Sequence, residues 1–165
     1  MDRGSRIANA MGEETLGTHR EWMARALDLA KQAAQCNEVP VGAVVVAGGT
    51  LIGEGANARE TLGDPTAHAE IIALRQAAQH LGTWRLTEVS LYVTLEPCPM
   101  CAGAIVQARV GCLVYGTSDA KGGAVESVMN VLHPGLWNHQ VDVIAGVMRD
   151  ECRELLQVFF QTRRL

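Results

Sequence analysis

The order of helix-patterned and strand-patterned segments constrains the fold of this chain more than any other feature. A helical period of apolar residues starts at His19 and stops before Pro40, and "VGAVVVAGGTLIGEGAN" then reads as a strand, a Gly-Gly turn and a second strand. Three more helical and three more strand patterns follow. The full order α-β-β-α-β-α-β-β-α predicts an α/β fold, a five-stranded mixed sheet with helices on both faces.

The limits of the later segments follow from turn and capping residues. In "AHAEIIALRQAAQHLG" we predict a helix with Thr66 as N-cap and Gly82 as its stop. A second helix, "PMCAGAIVQAR", has proline in its first turn, and "RDECRELLQVFFQTRR" closes the chain. The predicted strands are "VSLYVTL", "VGCLVYG" and "VDVIAGV"; "ETLGDPT" is predicted as loop and "MNVLHPGLWNH" as short helix and turn.

Length and composition predict a single domain. Residues 1–18 show no periodicity and are predicted to be a flexible leader, and residues 19–165 suit one domain with one core. The apolar runs are too short to span a bilayer, and the N-terminus lacks the apolar stretch of a signal peptide, so we expect a soluble, cytoplasmic protein that does not contact a membrane. A net charge of −4 argues against a general nucleic-acid coat, although a few placed cations could still form a local site.

Two cysteines in "EPCPMC" are the first candidates for chemistry. Cys98 and Cys101 lie three apart at a predicted helix start, so their side chains share a face about 60° wide. The positive end of the helix dipole favours thiolates, which are the form of cysteine that zinc binds. Taken alone, the pair could equally be a redox couple or a small apolar corner.

The segment "HAE" also begins a predicted helix. His68 and Glu70 point about 200° apart on a regular helix, so one metal ligand beside a nearby carboxylate is easier to build than two ligands of one metal. A capping histidine with a dipole-stabilising glutamate is the alternative. His68, Cys98 and Cys101 together would give zinc three ligands and leave its fourth position open to water, which is the catalytic pattern. Glu70 would then transfer protons.

The two motifs together match H-x-E…P-C-x-x-C, the known signature of zinc-dependent nucleobase deaminases. The resemblance extends through "EVPVGAVVV", "GEGAN", "DPTAHAEIIALRQAA", "LYVTLEPCPMCAGAI", "VYGTSDAKGGA" and "HPGLWNHQVDV". Over roughly residues 19–164 the chain resembles the bacterial tRNA-specific adenosine deaminase family.

The resemblance implies a three-layer α/β/α, cytidine-deaminase-like fold and a homodimer with one Zn²⁺ in each subunit. It also implies hydrolytic deamination of the wobble adenosine in a tRNA anticodon stem-loop to inosine. His68, Cys98 and Cys101 would hold the zinc. Glu70 would take a proton from water and deliver it to the adenine ring and to the departing ammonia.

The resemblance further implies a set of substrate-binding residues: Asn57, Asp119, Lys121, Asn138, His139 and Phe160. Each also has a structural interpretation. Asn57 could be a turn residue, Asp119 and Lys121 could belong to a polar loop, and the "NH" pair could be a turn or a support. Either of the adjacent rings Phe159 and Phe160 could be core, with the other ring on an unstacked base and Arg163 and Arg164 on phosphate. The tryptophans are predicted to be packing residues, and Glu126 adds negative charge near the proposed RNA path.

Two other functions remain open. A deaminase of free bases or nucleosides, such as guanine or cytosine, would share the zinc motifs; "SDAKGGA", "HPGLWNH" and the aromatic-basic last helix separate it from an RNA enzyme. A zinc-stabilised binding module without catalysis would need a fourth protein ligand and would have no use for Glu70.

Overall fold

The computed structural model describes residues 13–163, so residues 1–12, Arg164 and Leu165 lie outside it. Its helices are α1 (Glu13–Gln35), α2 (Arg59–Leu62), α3 (Ala69–Leu81), α4 (Pro99–Gln107) and α5 (Arg149–Gln161). Its strands are β1 (Gly42–Ala47), β2 (Thr50–Ala56), β3 (Val89–Leu95), β4 (Cys112–Thr117) and β5 (Asp142–Ala145).

The predicted five-stranded mixed sheet is confirmed. The strands lie in the order β2-β1-β3-β4-β5. β1 pairs antiparallel with both β2 and β3, whereas β3, β4 and β5 are parallel to one another. β2 therefore runs in the same direction as β3 and β4, and the carboxyl ends of these three strands share one edge of the sheet. We call it the carboxyl edge.

Helices cover both faces of the sheet. Along β1, Ala43 and Val45 pack into a core with α3 and α4, whereas Val44 and Val46 pack into a second core with α1 and α5. Side chains of a strand alternate between faces, so a strand that is apolar at every position is buried on both. The run "AVVV" in the first strand is thus explained by its place between two helical layers.

Glycines in β2 allow α3 to pack closely. A Cβ at Gly53 or Gly55 would strike the backbone of the helix, at the carbonyl oxygens of Ala73 and Ala69 respectively. The alanine-rich face of α3, including Ala77, is correspondingly fully buried. This close approach fixes the start of α3 at the carboxyl edge.

Several expectations about element limits were wrong. The first helix starts at Glu13 rather than His19, so only residues 1–12 of the predicted leader stay undescribed. α2 begins one residue before the predicted loop "ETLGDPT" and includes its first three residues, and residues 131–140 form turns and bends without a helix. Thr66 is not the N-cap of α3, because its hydroxyl and amide both donate to Asp64 Oδ1 at 2.8 Å; His68 takes the N-cap position.

The tryptophans divide between core and surface. Trp22, which belongs to α1, packs against the second core, as expected. Trp84 and Trp137 are 57% and 42% exposed, so the prediction that they are packing residues is wrong for the single chain. Among residues 13–163, no helix combines the length and apolar character needed to cross a membrane.

The packing of β2 on α3 predicts the effect of one substitution. Gly53→Ala should lower the free energy of unfolding by about 1–3 kcal/mol, because the new methyl group overpacks a contact with rigid backbone. Urea denaturation would measure it, with Gly17→Ala, where an added Cβ meets nothing within 4 Å, as the control. An equal midpoint for both variants would contradict this account of the close approach.

Candidate metal centre

Three potential metal ligands meet at the carboxyl edge. His68 and Cys98 occupy the N-cap positions of α3 and α4, and Cys101 lies in the first turn of α4. His68 Nδ1 lies 3.6 Å from Cys98 Sγ and 3.4 Å from Cys101 Sγ. All three ligand atoms lie within 4.8 Å of one another, which is close enough to bind a single metal ion.

The donor set fits a particular metal chemistry. One imidazole nitrogen and two sulfurs suit zinc, and the cluster contains three donors rather than the four that close a structural site. Neither N-cap side chain makes a capping hydrogen bond, so both are free to point toward the metal position. Within the described part of the chain, the binding module with a fourth ligand finds no support.

The hydrogen bond between the two cysteines shifts the pKa values of their thiol groups in opposite directions. A hydrogen bond from Cys101, with a smaller contribution from the nearby His68, lowers the pKa of Cys98 to about 5. The same hydrogen bond raises the pKa of Cys101, and burial acts in the same direction. One thiolate is therefore already favoured at neutral pH, at the positive ends of two helices.

Glu70 lies in the first turn of α3, beside the donor cluster but outside it. Its side chain is only 4% exposed, and burial raises the pKa of its carboxyl group. It also lines the pocket that contains His68 and Cys98. A buried carboxyl group with raised proton affinity at a pocket wall suits proton transfer.

The pocket beside the cluster has a volume of about 250 Å³. Its walls combine apolar residues with convergent polar groups: Val39, Val41, Asn57, Arg59, His68, Ala69, Glu70, Leu95, Glu96, Cys98 and Asp119. Asn57 Nδ2 donates to the carbonyl oxygen of Val39 at 3.1 Å, which orients the amide, while Asn57 Oδ1 is buried without a hydrogen-bond partner. Such an unpaired acceptor is costly unless a ligand satisfies it.

A larger groove of about 790 Å³ adjoins this pocket. It lies between the loop after β4 and helix α5, and Asp119 lines both cavities. Lys121 and Phe160 line the groove, together with Arg153 from α5. The structure thus brings Asn57, Asp119, Lys121 and Phe160 to one continuous surface with the metal cluster.

The two adjacent phenylalanines have different environments. Phe159 is 9% exposed, whereas Phe160 is 46% exposed and lines the groove, so only Phe160 is available to an external ring. Arg163 stacks on the Phe159 ring at 3.8 Å and donates to Asn37 Oδ1 at 2.9 Å. Arg163 is therefore engaged within the fold, and Arg164 lies outside the described residues.

Asn138 and His139 do not meet the other site residues within one chain. His139 Nε2 lies 2.8 Å from the carbonyl oxygen of Val110, which precedes β4. Val110 is therefore at the end of the sheet opposite the carboxyl edge. A contact between these two residues and substrate stays a prediction.

Glu96 is a residue of the site that the sequence interpretation did not assign. Its carboxylate lines the pocket and is 2% exposed. Burial alone would raise its pKa, but hydrogen bonds from the Ser127 side chain and from backbone amides of Glu126, Ser127 and Asp119 lower it to about 2. The available signal was a charged residue directly after an apolar strand, adjacent to the cysteine motif.

Comparisons with known proteins identify relatives over most of the chain. A model of the MafB19-like deaminase family matches residues 17–164. The tRNA-specific adenosine deaminase of Bacillus subtilis is 47% identical over 143 residues, covering 87% of this chain and 89% of the relative. The enzyme of the same name from Haemophilus influenzae is 49% identical over 143 residues, covering 86% and 83%.

Solved structures of deaminases also resemble this chain. One from a study of A-to-I editing by tRNA:A34 deaminases at the wobble position has a TM-score of 0.80 and 46% identity, covering 82% of this chain and 99% of that one. A guanine deaminase from Nitrosomonas europaea has a TM-score of 0.75 and 27% identity, covering 85% and 83%. The expected cytidine-deaminase-like fold is confirmed.

The donor cluster predicts metal content. We expect about one zinc ion per chain by mass spectrometry of the purified protein, and a loss of most of it in Cys101→Ser. Cys36→Ser is a matched control, because Cys36 is exposed and outside the cluster. Full zinc content in Cys101→Ser would show that the metal is held elsewhere.

Proposed function

This chain belongs to the tRNA-specific adenosine deaminase family, and from that premise we propose that it converts the wobble adenosine of a tRNA anticodon to inosine with a zinc ion held by His68, Cys98 and Cys101. The observation that carries the proposal is the three-donor cluster opening into a pocket whose wall holds the buried Glu70. When bound, zinc would supply an activated water at neutral pH.

Glu70 is the proposed proton carrier. Its carboxylate takes one proton from the attacking water and delivers it to N1 of the adenine ring. It then moves the second proton of that water from the new hydroxyl group at C6 to the amino group, which leaves as ammonia, so that adenosine and water give inosine and ammonia. Burial raises the pKa of the Glu70 carboxyl group, which supports a role in accepting a proton from water.

Asn57 is the proposed anchor for the flipped nucleoside. Its Oδ1 is a buried acceptor without a partner, and its Nδ2 is already committed to Val39, so the free oxygen can accept from a nucleoside N–H or O–H. A base must leave its stack to reach a pocket of this size, which costs least in a single-stranded loop. An anticodon loop meets that requirement.

The groove is the proposed path of the RNA backbone and of a neighbouring base. Lys121 and Arg153 supply positive charge locally in a chain whose net charge is −4, and the exposed Phe160 ring offers a surface for stacking. Arg153 is also paired with Asp150 at 3.0 Å, an exposed interaction too weak to withhold it from a phosphate.

A homodimer is the proposed assembly. Large apolar side chains are exposed in and around α3, α4 and the 128–137 segment: Leu81, Trp84, Met100, Val128, Met129, Leu136 and Trp137. They suit burial against a second copy of the chain. The predicted substrate contacts of Asn138 and His139 are compatible with such a dimer if one subunit reaches the RNA site of the other.

A substrate panel tests the activity. We expect inosine in an anticodon stem-loop with a wobble adenosine, and no turnover of free guanine, cytosine or adenosine, because the groove residues act only on a longer substrate. Liquid chromatography of digested RNA and an ammonia assay would measure both. Turnover of a free base without RNA editing would instead favour the activity of the 27% identical guanine deaminase.

A second substitution separates catalysis from metal binding. Glu70→Ala should keep its zinc, because Glu70 lies outside the donor cluster, and should lose at least about a hundredfold in kcat, since proton transfer contributes 10²–10⁴-fold. Zinc content and single-turnover editing would be measured on the same preparation. Loss of zinc from a folded variant would make Glu70 a ligand and overturn its proposed role.

A further inference from the structure

The buried carboxylate of Glu96 connects the metal-binding segment to the loop beside it. Oε1 accepts from the backbone amide of Asp119 at 3.1 Å and from the Ser127 hydroxyl. Oε2 accepts from the amides of Val125, Glu126 and Ser127 at 3.1, 2.9 and 3.0 Å. All of these donors belong to residues 119–127, which we call the 119–127 loop, and Glu96 itself stands two positions before the ligand Cys98.

The 119–127 loop has no helix or strand to fix its position. Inside it, Asp119 Oδ1 accepts from the amides of Lys121 at 3.0 Å and Gly122 at 3.2 Å, which holds the turn together. Outside it, the amide of Ala124 donates to the carbonyl oxygen of Pro97 at 2.8 Å. Ala124 and Val125 anchor one side of the loop in the hydrophobic core. The hydrogen bonds that join the loop to the metal-binding segment pass through Glu96 and Pro97.

Gly123 shows how closely the loop fits the carboxylate. A Cβ at this position would lie against all three atoms of the Glu96 carboxyl group. The backbone of Gly123 is outside the left-handed region, so an alanine there would be opposed by this contact and not by its own conformation. The absence of a side chain at position 123 is therefore matched to the anion at position 96.

We propose that Glu96 is a positioning residue for the RNA substrate. It sets the distance between the metal-binding segment and the 119–127 loop, so that Asp119 and Lys121 are already in place when an anticodon loop enters the groove. The inference rests on the proposed function. It assigns Glu96 to substrate binding, through the loop, and leaves the deamination steps to Glu70 and the metal.

The charge of Glu96, and not only its shape, is required for this role. A carboxylate accepts hydrogen bonds at both oxygens and donates none, which matches a shell made only of donors. In Glu96→Gln, one oxygen becomes an NH₂ group. If the remaining oxygen faces the Val125, Glu126 and Ser127 amides, the NH₂ group faces the amide of Asp119 and breaks that bond.

The direct test compares Glu96→Gln with the unmodified chain. We expect unchanged zinc content and faster hydrogen exchange at the amides of residues 119 and 125–127. The KM for the anticodon stem-loop should rise about tenfold, because one or two charge-assisted hydrogen bonds that hold the loop are lost, while kcat should stay within about threefold. The Kd of the stem-loop, measured in the Glu70→Ala background, should rise by the same factor.

A second variant perturbs the same contact from the loop side. Gly123→Ala keeps the carboxylate but pushes the loop away from it, so its effects on KM and hydrogen exchange should resemble those of Glu96→Gln and should not add to them in the double variant. Gly17→Ala is the control and should change neither quantity. Ser127→Ala, which removes one donor of the shell, should have a smaller effect.

Particular results would overturn the proposal. Faster exchange of the loop with KM and Kd unchanged in Glu96→Gln would show that loop position does not matter for RNA. Loss of zinc or a fall in kcat alone would make Glu96 a support of the metal segment. If Glu96→Gln does not fold, an unchanged KM in Gly123→Ala overturns it equally. Failure of the unmodified chain to edit or bind the stem-loop would refute the proposed function instead, while hydrogen exchange would still report on the loop attachment.

Discussion

The chemistry of this protein depends on two helices that begin at the same edge of one sheet. α3 and α4 start beside the carboxyl ends of β2, β3 and β4, and their N-cap residues are His68 and Cys98. The backbone amides at two helix N-termini face the cluster and favour its thiolates. Because Gly53 and Gly55 let α3 lie directly on β2, the position of His68 is set by the packing of the fold and not by a loop.

The same edge provides more than the metal ligands. Asn57 follows β2, Glu96 follows β3, and Asp119 comes shortly after β4, so each of these three strands is followed by a polar residue of the pocket. The buried groups at this edge are costly for the isolated chain. Asn57 Oδ1 has no partner, and Glu70 is a nearly inaccessible carboxyl group. Such costs are typical of a site organised around a ligand.

Sequence patterns predicted the sheet and the metal cluster because both depend on local signals. The run "AVVV" required burial on two faces, and the H-x-E and P-C-x-x-C motifs placed donors at helix starts. The first residue of α3 was not predictable, because the Thr66 hydroxyl donates to Asp64 instead of capping the helix. Glu96 was missed because its partners lie 23 to 31 residues away, in a loop without periodicity.

Phe159 and Phe160 could be told apart only by their packing in the structure. The surface exposure of Trp84 and Trp137 shows that large apolar residues do not all belong to the core of one chain.

The protein is expected to edit a wobble adenosine with one metal ion held by His68, Cys98 and Cys101. This expectation is tested most directly by adding zinc stepwise to metal-stripped protein and measuring single-turnover inosine formation in an anticodon stem-loop at each step. The active fraction of the protein should rise linearly with added zinc and stop rising at about one zinc per chain. Full editing before zinc is added, or no editing when the cluster is filled, would contradict this expectation.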